Sequence, residues 1–238
     1  MKIALIGYGK MGQLIDRIAT ERGHEVVLRI HIENRSEFTA DNLRQADVAI
    51  EFTGPDSAFE NVRRCIEWGV PVVSGSTGWN DRIGEAAHLA EEKGGTFLHA
   101  SNFSIGVNLF FELNKQLARL MNSQPQYDVE LKEIHHTAKL DAPSGTAVTL
   151  AEQVLAALDR KQRWVKQSAA EESDLVIRSE RIDPAPGTHH VRYSSPIDDI
   201  ELIHTAHNRN GFATGAVQAA EFIMGKAGVF TMADVLGF

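Results

Sequence analysis

Apolar and polar positions change period repeatedly along the chain, and each change marks an element. Residues 2–6 form a short apolar run stopped by Gly7, the pattern of a buried strand. Beyond it, Met11, Leu14, Ile15, Ile18 and Ala19 recur with helical spacing up to Gly23. Residues 26–32 read as a second strand ending at Glu33, and the polar stretch 34–42 as a loop. The alternation continues with a strand at 47–52, then a helix carrying Ala58, Val62, Cys65 and Ile66 that stops at Gly69. A strand at 71–73, a helix over 81–93 broken by Gly94-Gly95, and a strand at 96–99 complete the series. Strands alternating with helices predict a Rossmann-like, doubly wound parallel sheet of the α/β class.

The second half has another grain. Residues 105–121 are apolar on nearly every side (Val107, Leu109, Phe110, Phe111, Leu113, Leu117, Leu120), which predicts a helix that is buried or at an interface. Tyr127, Val129 and Leu131 alternate with Asp128, Glu130 and Lys132, a half-buried strand over 127–134. Ala147, Val148, Leu150, Ala151, Val154, Leu155 and Leu158 mark an amphipathic helix. Residues 160–173 read as an exposed connection, and 175–181, 189–194 and 200–207 as strands. With 127–134 they make an open mixed sheet faced by helices, a second α+β domain over 105–210. Asn102-Phe103-Ser104 is the expected hinge into it. A final helix opens at Gly211 (Val217, Ala220, Phe222, Ile223), and 232–238 is an apolar tail.

Composition narrows the function. A net charge of −8 without a basic cluster argues against nucleic-acid binding. No apolar run approaches the roughly 18 residues of a membrane span, and the start Met1-Lys2 is too short for a signal peptide. Cys65 is alone, so no internal disulfide forms. His135 and His136 are adjacent, without zinc-site spacing or cysteine partners, and no metal site is expected. The expectation is a cytoplasmic protein acting on a small molecule.

Two stretches carry chemistry. Gly7-Tyr8-Gly9-Lys10-Met11-Gly12 is G-x-G-x-x-G between a strand and a helix, where glycines let a pyrophosphate reach the helix N-terminus. Glu33, about 20 positions on, stands where a ribose diol is bound. Its carboxylate suits NADH and repels the 2′-phosphate of NADPH, and Arg35 could offset that, so NADH is favoured with dual use open. Phe52-Thr53, Gly75-Ser76-Thr77 and Ala100-Ser101-Asn102-Phe103 lie at strand carboxyl ends, where such sheets bind ligands. The other stretch runs from Glu133 to Ala147. It gathers His135, His136, Lys139 and a Pro143-Ser144-Gly145-Thr146 turn ahead of an apolar-periodic run. Acids and a cation beside a helix start, whose N–H groups and dipole favour an anion, describe a pocket for a small polyanion that accepts a proton.

This ordered string resembles the signature of the dihydrodipicolinate reductase (4-hydroxy-tetrahydrodipicolinate reductase) family of lysine and diaminopimelate biosynthesis. The resemblance implies hydride transfer from NAD(P)H to C4 of a cyclic, unsaturated dicarboxylate. It implies that His135 and Lys139 are catalytic proton donors and that His136, Ser144, Gly145 and Thr146 hold the substrate. The glycine loop, Glu33 and the segments at Phe52, Gly75 and Ala100 would line the cofactor. It also implies that 211–238 returns to complete the domain of 1–104, that substrate and cofactor domains close about hinges near Phe103 and Gly211, and that the chain is a homotetramer. Gly187-Thr188-His189-His190-Val191 resembles the family's G-x-H segment, and Arg181 the arginine before it. Departures are Asn34, where an arginine commonly follows the acid, and Asp183, where glycine is common. Rival readings are another two-domain NAD(P)-linked amino- or keto-acid dehydrogenase and a non-enzymatic dinucleotide sensor, neither of which needs His-His-x-x-Lys with Pro-Ser-Gly-Thr.

Overall fold

The computed structural model describes residues 1–238. Along the chain run β1 (Lys2–Ile6), α1 (Lys10–Glu21), β2 (Glu25–Ile30), α2 (Ala40–Leu43), β3 (Val48–Glu51) and α3 (Pro55–Glu67). They are followed by β4 (Val72–Ser74), α4 (Ile83–Lys93), β5 (Thr96–His99), α5 (Ile105–Asn122), β6 (Asp128–His135) and α6 (Gly145–Ala157). The chain ends with β7 (Arg163–Lys166), β8 (Asp174–Arg181), β9 (Gly187–Ser194), β10 (Asp199–Ala206), α7 (Asn210–Ile223), β11 (Gly228–Phe230) and α8 (Met232–Leu236). Two compact units form: Met1–Ile105 with Asn210–Phe238, and Gly106–Arg209.

The first unit holds a six-stranded parallel sheet in the order β11-β5-β4-β3-β1-β2. Side chains alternate across it, so each β1 residue serves one face. Ala4 and Ile6 pack with Phe59, Val62, Trp79 and Phe97 on one side. Ile3 and Leu5 pack with Ile15, Ile50, Leu98, Val217 and Ala220 on the other. Small residues of α7 (Ala213, Ala216, Ala220), all fully buried, let that helix lie close on the sheet.

The second unit holds a mixed sheet in the order β10-β9-β6-β8-β7. β9 runs antiparallel to β6 and β10, whereas β8 runs parallel to β6 and β7. Its apolar face (Val129, Leu131, Leu175, Ile177, Val191, Tyr193) packs against Phe110 of α5 and Leu150 and Val154 of α6.

Several boundaries differ from the sequence reading. β2 stops at Ile30, and residues Ile32–Glu37 turn into a 3-10 helix in place of a loop. The His31 and Asn34 side chains exchange bonds with backbone N–H groups there and compete with strand pairing. β7 lies within the expected exposed connection, and β11 adds a strand before the apolar tail. β6 extends through His135. α5 is one-sided: Val107, Phe110 and Ala118 are buried, but Leu109, Leu113 and Leu120 are 46%, 52% and 70% exposed.

Candidate active site

In the first unit the glycine loop is fixed by backbone geometry. Gly7 adopts φ +99°, and the N–H groups of Gly7 and Tyr8 both donate to the Ile30 carbonyl, at 2.9 and 3.0 Å. α1 starts at Gly9 without a side-chain cap, so the N–H groups of its first turn are not taken by a capping side chain. The three glycines differ. A Cβ on Gly7 would lie 2.1 Å from the Phe52 carbonyl oxygen, one on Gly12 would lie 2.1 Å from the Gly7 carbonyl oxygen, and one on Gly9 meets nothing within 4 Å. The first two permit tight backbone packing, and Gly9 leaves open space at the helix start. Lys10 is exposed and Met11 half-buried beside it. The cavity at this end, about 730 Å³, is lined by Gly7, Gly9, His31, Arg35, Phe52 and Thr53 among others.

Glu33 is not in that lining. It sits in the 3-10 turn with its side chain 85% exposed, because β2 ends early and His31 occupies the strand-end position. Arg35, in contrast, lines the cavity and makes no ion pair there, while Arg64 pairs with Glu60.

The segments after β3 and β4 are gathered by a residue that the sequence reading did not single out. Glu51 is fully buried and accepts hydrogen bonds from Ser74 Oγ (2.6 Å), Ser76 Oγ (2.8 Å), Thr53 N (2.9 Å) and Thr53 Oγ1. Gly75 is needed because the Phe52 ring lies 2.1 Å from where its Cβ would be. Phe103 is buried and packs against Phe52 at 5.7 Å between ring centroids. Thr77 and Ser101 are exposed, Ala100 and Asn102 half-buried. Burial pushes the His99 imidazole below its ordinary pKa, leaving it neutral next to the Ser76 carbonyl.

In the second unit strand register brings a polar cluster to the helix-covered face. Glu133 and His135 are two apart on β6 and share that face, and His189 on β9 is paired with Glu133. Glu133 Oε2 accepts from His135 Nδ1, and Glu133 Oε1 accepts from Arg181 Nη2 at 3.0 Å. Burial raises the Glu133 pKa, but the bonds from His135, Arg181 and Ser179 outweigh it and hold the carboxyl at about 2. The His135 and His189 rings stand 5.1 Å apart. Burial, with the His135 charge nearby, drives His189 down to about 3, so it is a neutral ring. Its Nε2 lies 3.1 Å from Ser144 Oγ, which also accepts the Ala147 N–H and so caps α6. Gly145 is exposed at the helix start with nothing within 4 Å of its Cβ position, and Thr146 follows half-buried.

His135 is 8% exposed, and His136, just past the strand end, is half-buried. Lys139 Nζ donates to both Asp141 oxygens (2.7 and 2.8 Å) and is 23% exposed. Arg181 joins this loop to the buried cluster, donating to the Lys139 carbonyl (3.3 Å), the Asp141 carbonyl (2.6 Å) and Glu133. The structure thus brings together His135, Ser144 and the start of α6, with Lys139 tied in through Arg181. Glu133 is the addition as a partner of His135, signalled by the Glu133-x-His135 spacing that places both on one strand face, and His189 joins them from the segment that resembles the family's G-x-H.

Glu133, His135 and His189 also place donor atoms within 4.8 Å of one another, a number sufficient for a metal. Both Glu133 oxygens, however, are already engaged, one by the cationic Arg181. That donor set favours a proton over a divalent ion.

Known proteins share this organisation. Residues 1–103 match the model for the N-terminus of dihydrodipicolinate reductase, and residues 106–236 match that for its C-terminus. A 4-hydroxy-tetrahydrodipicolinate reductase of Christiangramia forsetii is 47% identical over 99% of this chain and 98% of its own. One from Neisseria meningitidis serogroup B is 35% identical over 93% of this chain and 84% of its own. A dipicolinate-bound dihydrodipicolinate reductase structure from Paenisporosarcina sp. TG-14 superposes with a TM-score of 0.81 at 22% identity, covering 98% of both chains, a likeness of fold. An amine dehydrogenase from Mycobacterium smegmatis shares the architecture more loosely, with a TM-score of 0.63 at 13% identity over 98% of this chain and 95% of its own. By full-length sequence likeness and by both of its units, the chain belongs to the dihydrodipicolinate reductase family, oxidoreductases of lysine and diaminopimelate biosynthesis.

Proposed function

We propose that His135 and Lys139 are the proton donors of this reductase and that the start of α6 holds the substrate dicarboxylate. The observation that carries the reading is His135, engaged through Nδ1 with a buried carboxylate, on the same face as the Ser144-capped helix start. A pyridine nucleotide, when bound, supplies the hydride that reduces the ring derived from 4-hydroxy-tetrahydrodipicolinate to tetrahydrodipicolinate. What the chain supplies is charge and protons. An enamine-like product anion needs a proton, and a positioned acid contributes about 10²–10⁴-fold. Lys139 is a fixed cation within reach of solvent. His136, the first-turn backbone at Gly145 and Thr146, and the Ser144 hydroxyl orient carboxylates. Cytoplasmic location and a homotetramer belong to the proposal through the family resemblance.

The first unit fits a dinucleotide. Gly9 leaves the uncapped start of α1 open to a pyrophosphate, and Gly7, Phe52 and Thr53 line the adjoining cavity. For the ribose end we infer dual use of NADH and NADPH in place of a bias to NADH. The carboxylate expected to repel a 2′-phosphate lies outside the cavity, and Arg35 offers an unpaired guanidinium inside it.

The test is oxidation of NADH and NADPH with substrate generated in situ from pyruvate and aspartate semialdehyde by the preceding synthase. Wild type turns over, and Lys139→Ala loses about 10²–10⁴-fold in kcat while still binding nucleotide. A folded, nucleotide-binding wild type without turnover would sink the proposal.

A further inference from the structure

We propose that Glu133 is a positioning residue for the reduction: it fixes the tautomer of His135 and keeps Nε2 as the proton-delivering atom. The inference deepens the reading of His135 as an acid and rests on it.

A histidine that donates to a carbanion must present one nitrogen and hold the other still. The Glu133 carboxylate, fully buried and ionised, can only accept, so the His135 nitrogen facing it, Nδ1, carries a hydrogen. Nε2 is then the remaining atom, and it has no hydrogen-bond partner in the protein. The opposite strand keeps it clear: Gly187 has φ +157°, and a Cβ there would come within 3.0 Å of Nε2. The carboxylate itself is held by Arg181 Nη2 from β8. The groups facing His135 are therefore Glu133 on its own strand, Arg181 on β8 and neutral His189 on β9, with Lys139 and Asp141 in the adjoining loop.

As hydride from NAD(P)H reaches one ring carbon, the electron pair that moves to its neighbour takes the proton from His135 Nε2. That N–H bond breaks, a C–H bond forms, and the pair stays on Nε2. Nδ1–H remains with Glu133 throughout. The fixed negative charge beside Nδ1 offsets the positive charge the ring carries while Nε2 holds the proton to be delivered. The Arg181 link also gives the Lys139–Asp141 loop and the His135 ring one common anchor.

The experiment is a double-mutant cycle of Glu133→Gln and His135→Ala, assayed with each reaction partner varied up to saturation and across neutral pH. Glutamine keeps the shape and removes the charge. Glu133→Gln should lower kcat about tenfold or more, within the roughly 10²–10⁴-fold that an acid contributes, with little change in KM. The alkaline limb of its pH profile should move to lower pH. In the His135→Ala background the same change should cost nothing further, because its route is gone. Equal losses in both backgrounds, or an unmoved pH profile, would overturn the proposal. A His135→Ala enzyme with wild-type kcat would instead refute the acid role of His135 itself. A second readout needs no variant: in ¹⁵N-histidine-labelled protein, neutral His135 should carry its hydrogen on Nδ1, and a hydrogen on Nε2 would overturn the proposal.

Discussion

The three glycines of the first loop should fail in three different ways when each is changed to alanine. Gly12 is the decisive one. Its added Cβ would fall 2.1 Å from the Gly7 carbonyl oxygen, and since Cβ contacts under 3.0 Å essentially never occur, α1 must retreat by about 0.9 Å. Two effects oppose each other. Alanine in place of glycine inside a helix gains about 0.8–1 kcal/mol. Overpacking against an atom that cannot move costs about 1–3 kcal/mol, and a backbone clash this close belongs at the upper end. The clash wins by about 2 kcal/mol. In a chain of this size that lowers the melting temperature by roughly 4–8 °C. The retreat also moves first-turn N–H groups away from the position proposed for the pyrophosphate. Losing one charge-assisted hydrogen bond, about 1.5–3 kcal/mol, weakens nucleotide binding roughly 10–100-fold. Gly9→Ala has no protein neighbour within 4 Å, so it should melt like wild type and lose nucleotide affinity alone. Gly7→Ala, at φ +99° and 2.1 Å from the Phe52 carbonyl oxygen, should be the most destabilised. Differential scanning fluorimetry with fluorescence titration of NADH separates the three. A Gly12→Ala protein that melts and binds like wild type would refute the close-approach argument, and equal melting losses at Gly9 and Gly12 would refute the distinction between them.

Three further outcomes are expected. Arg35→Ala should raise KM for NADPH more than for NADH, and equal effects on the two would remove Arg35 from the 2′-phosphate. Gly187→Ala should cut kcat by displacing the His135 ring, since its Cβ would press on Nε2; unchanged kcat would show that the strand yields instead. Acid should destabilise the second unit through Glu133. Its carboxyl titrates at about 2 when folded against an ordinary 4.5, so the stability it adds is complete above 4.5 and is lost as pH falls towards 2. The shift corresponds to about 3 kcal/mol. Urea denaturation at about pH 5 and about pH 3 should show about 2 kcal/mol of that loss in wild type, the rest falling below about pH 3, and a Glu133→Gln protein that loses as much would contradict it.

The periodic parts of the fold were legible because burial sets them. β1 and β5 lie at the bounds their apolar runs predict, and α1, α3 and α6 follow their stripes of Ile15, Val62 and Leu150. The apolar pattern loses its guidance where side chains bond the backbone locally. His31 and Asn34 end β2 early, which turns Glu33 outward and leaves His31 and Arg35 at the cavity. β7 was missed because an edge strand of four residues with charges at both ends carries almost no apolar signal. At the candidate site, His135, Lys139 and Ser144 were visible as an ordered string. Glu133, Arg181 and His189 come from three different strands of one sheet, so only register relates them. Glu51 was hidden because a carboxylate in an apolar strand has meaning only once the hydroxyls of Thr53, Ser74 and Ser76 surround it.

The first unit is sewn from both ends of the chain, and that has a consequence for how it is made. α7 supplies Ala213, Ala216, Val217 and Ala220 to one face of the parallel sheet, and β11 adds the outermost strand beside β5. A ribosome that has released residues 1–105 has therefore delivered five strands with one face covered by α1 alone, its companion helix still unmade. Residues 106–209 emerge next and carry all the strands of their own sheet. The later-made unit can close first, while Ile3, Leu5 and Leu98 await a helix encoded in the final thirty or so codons. Premature termination just before α7 would thus leave a greasy, half-covered sheet exposed to holdases and proteases.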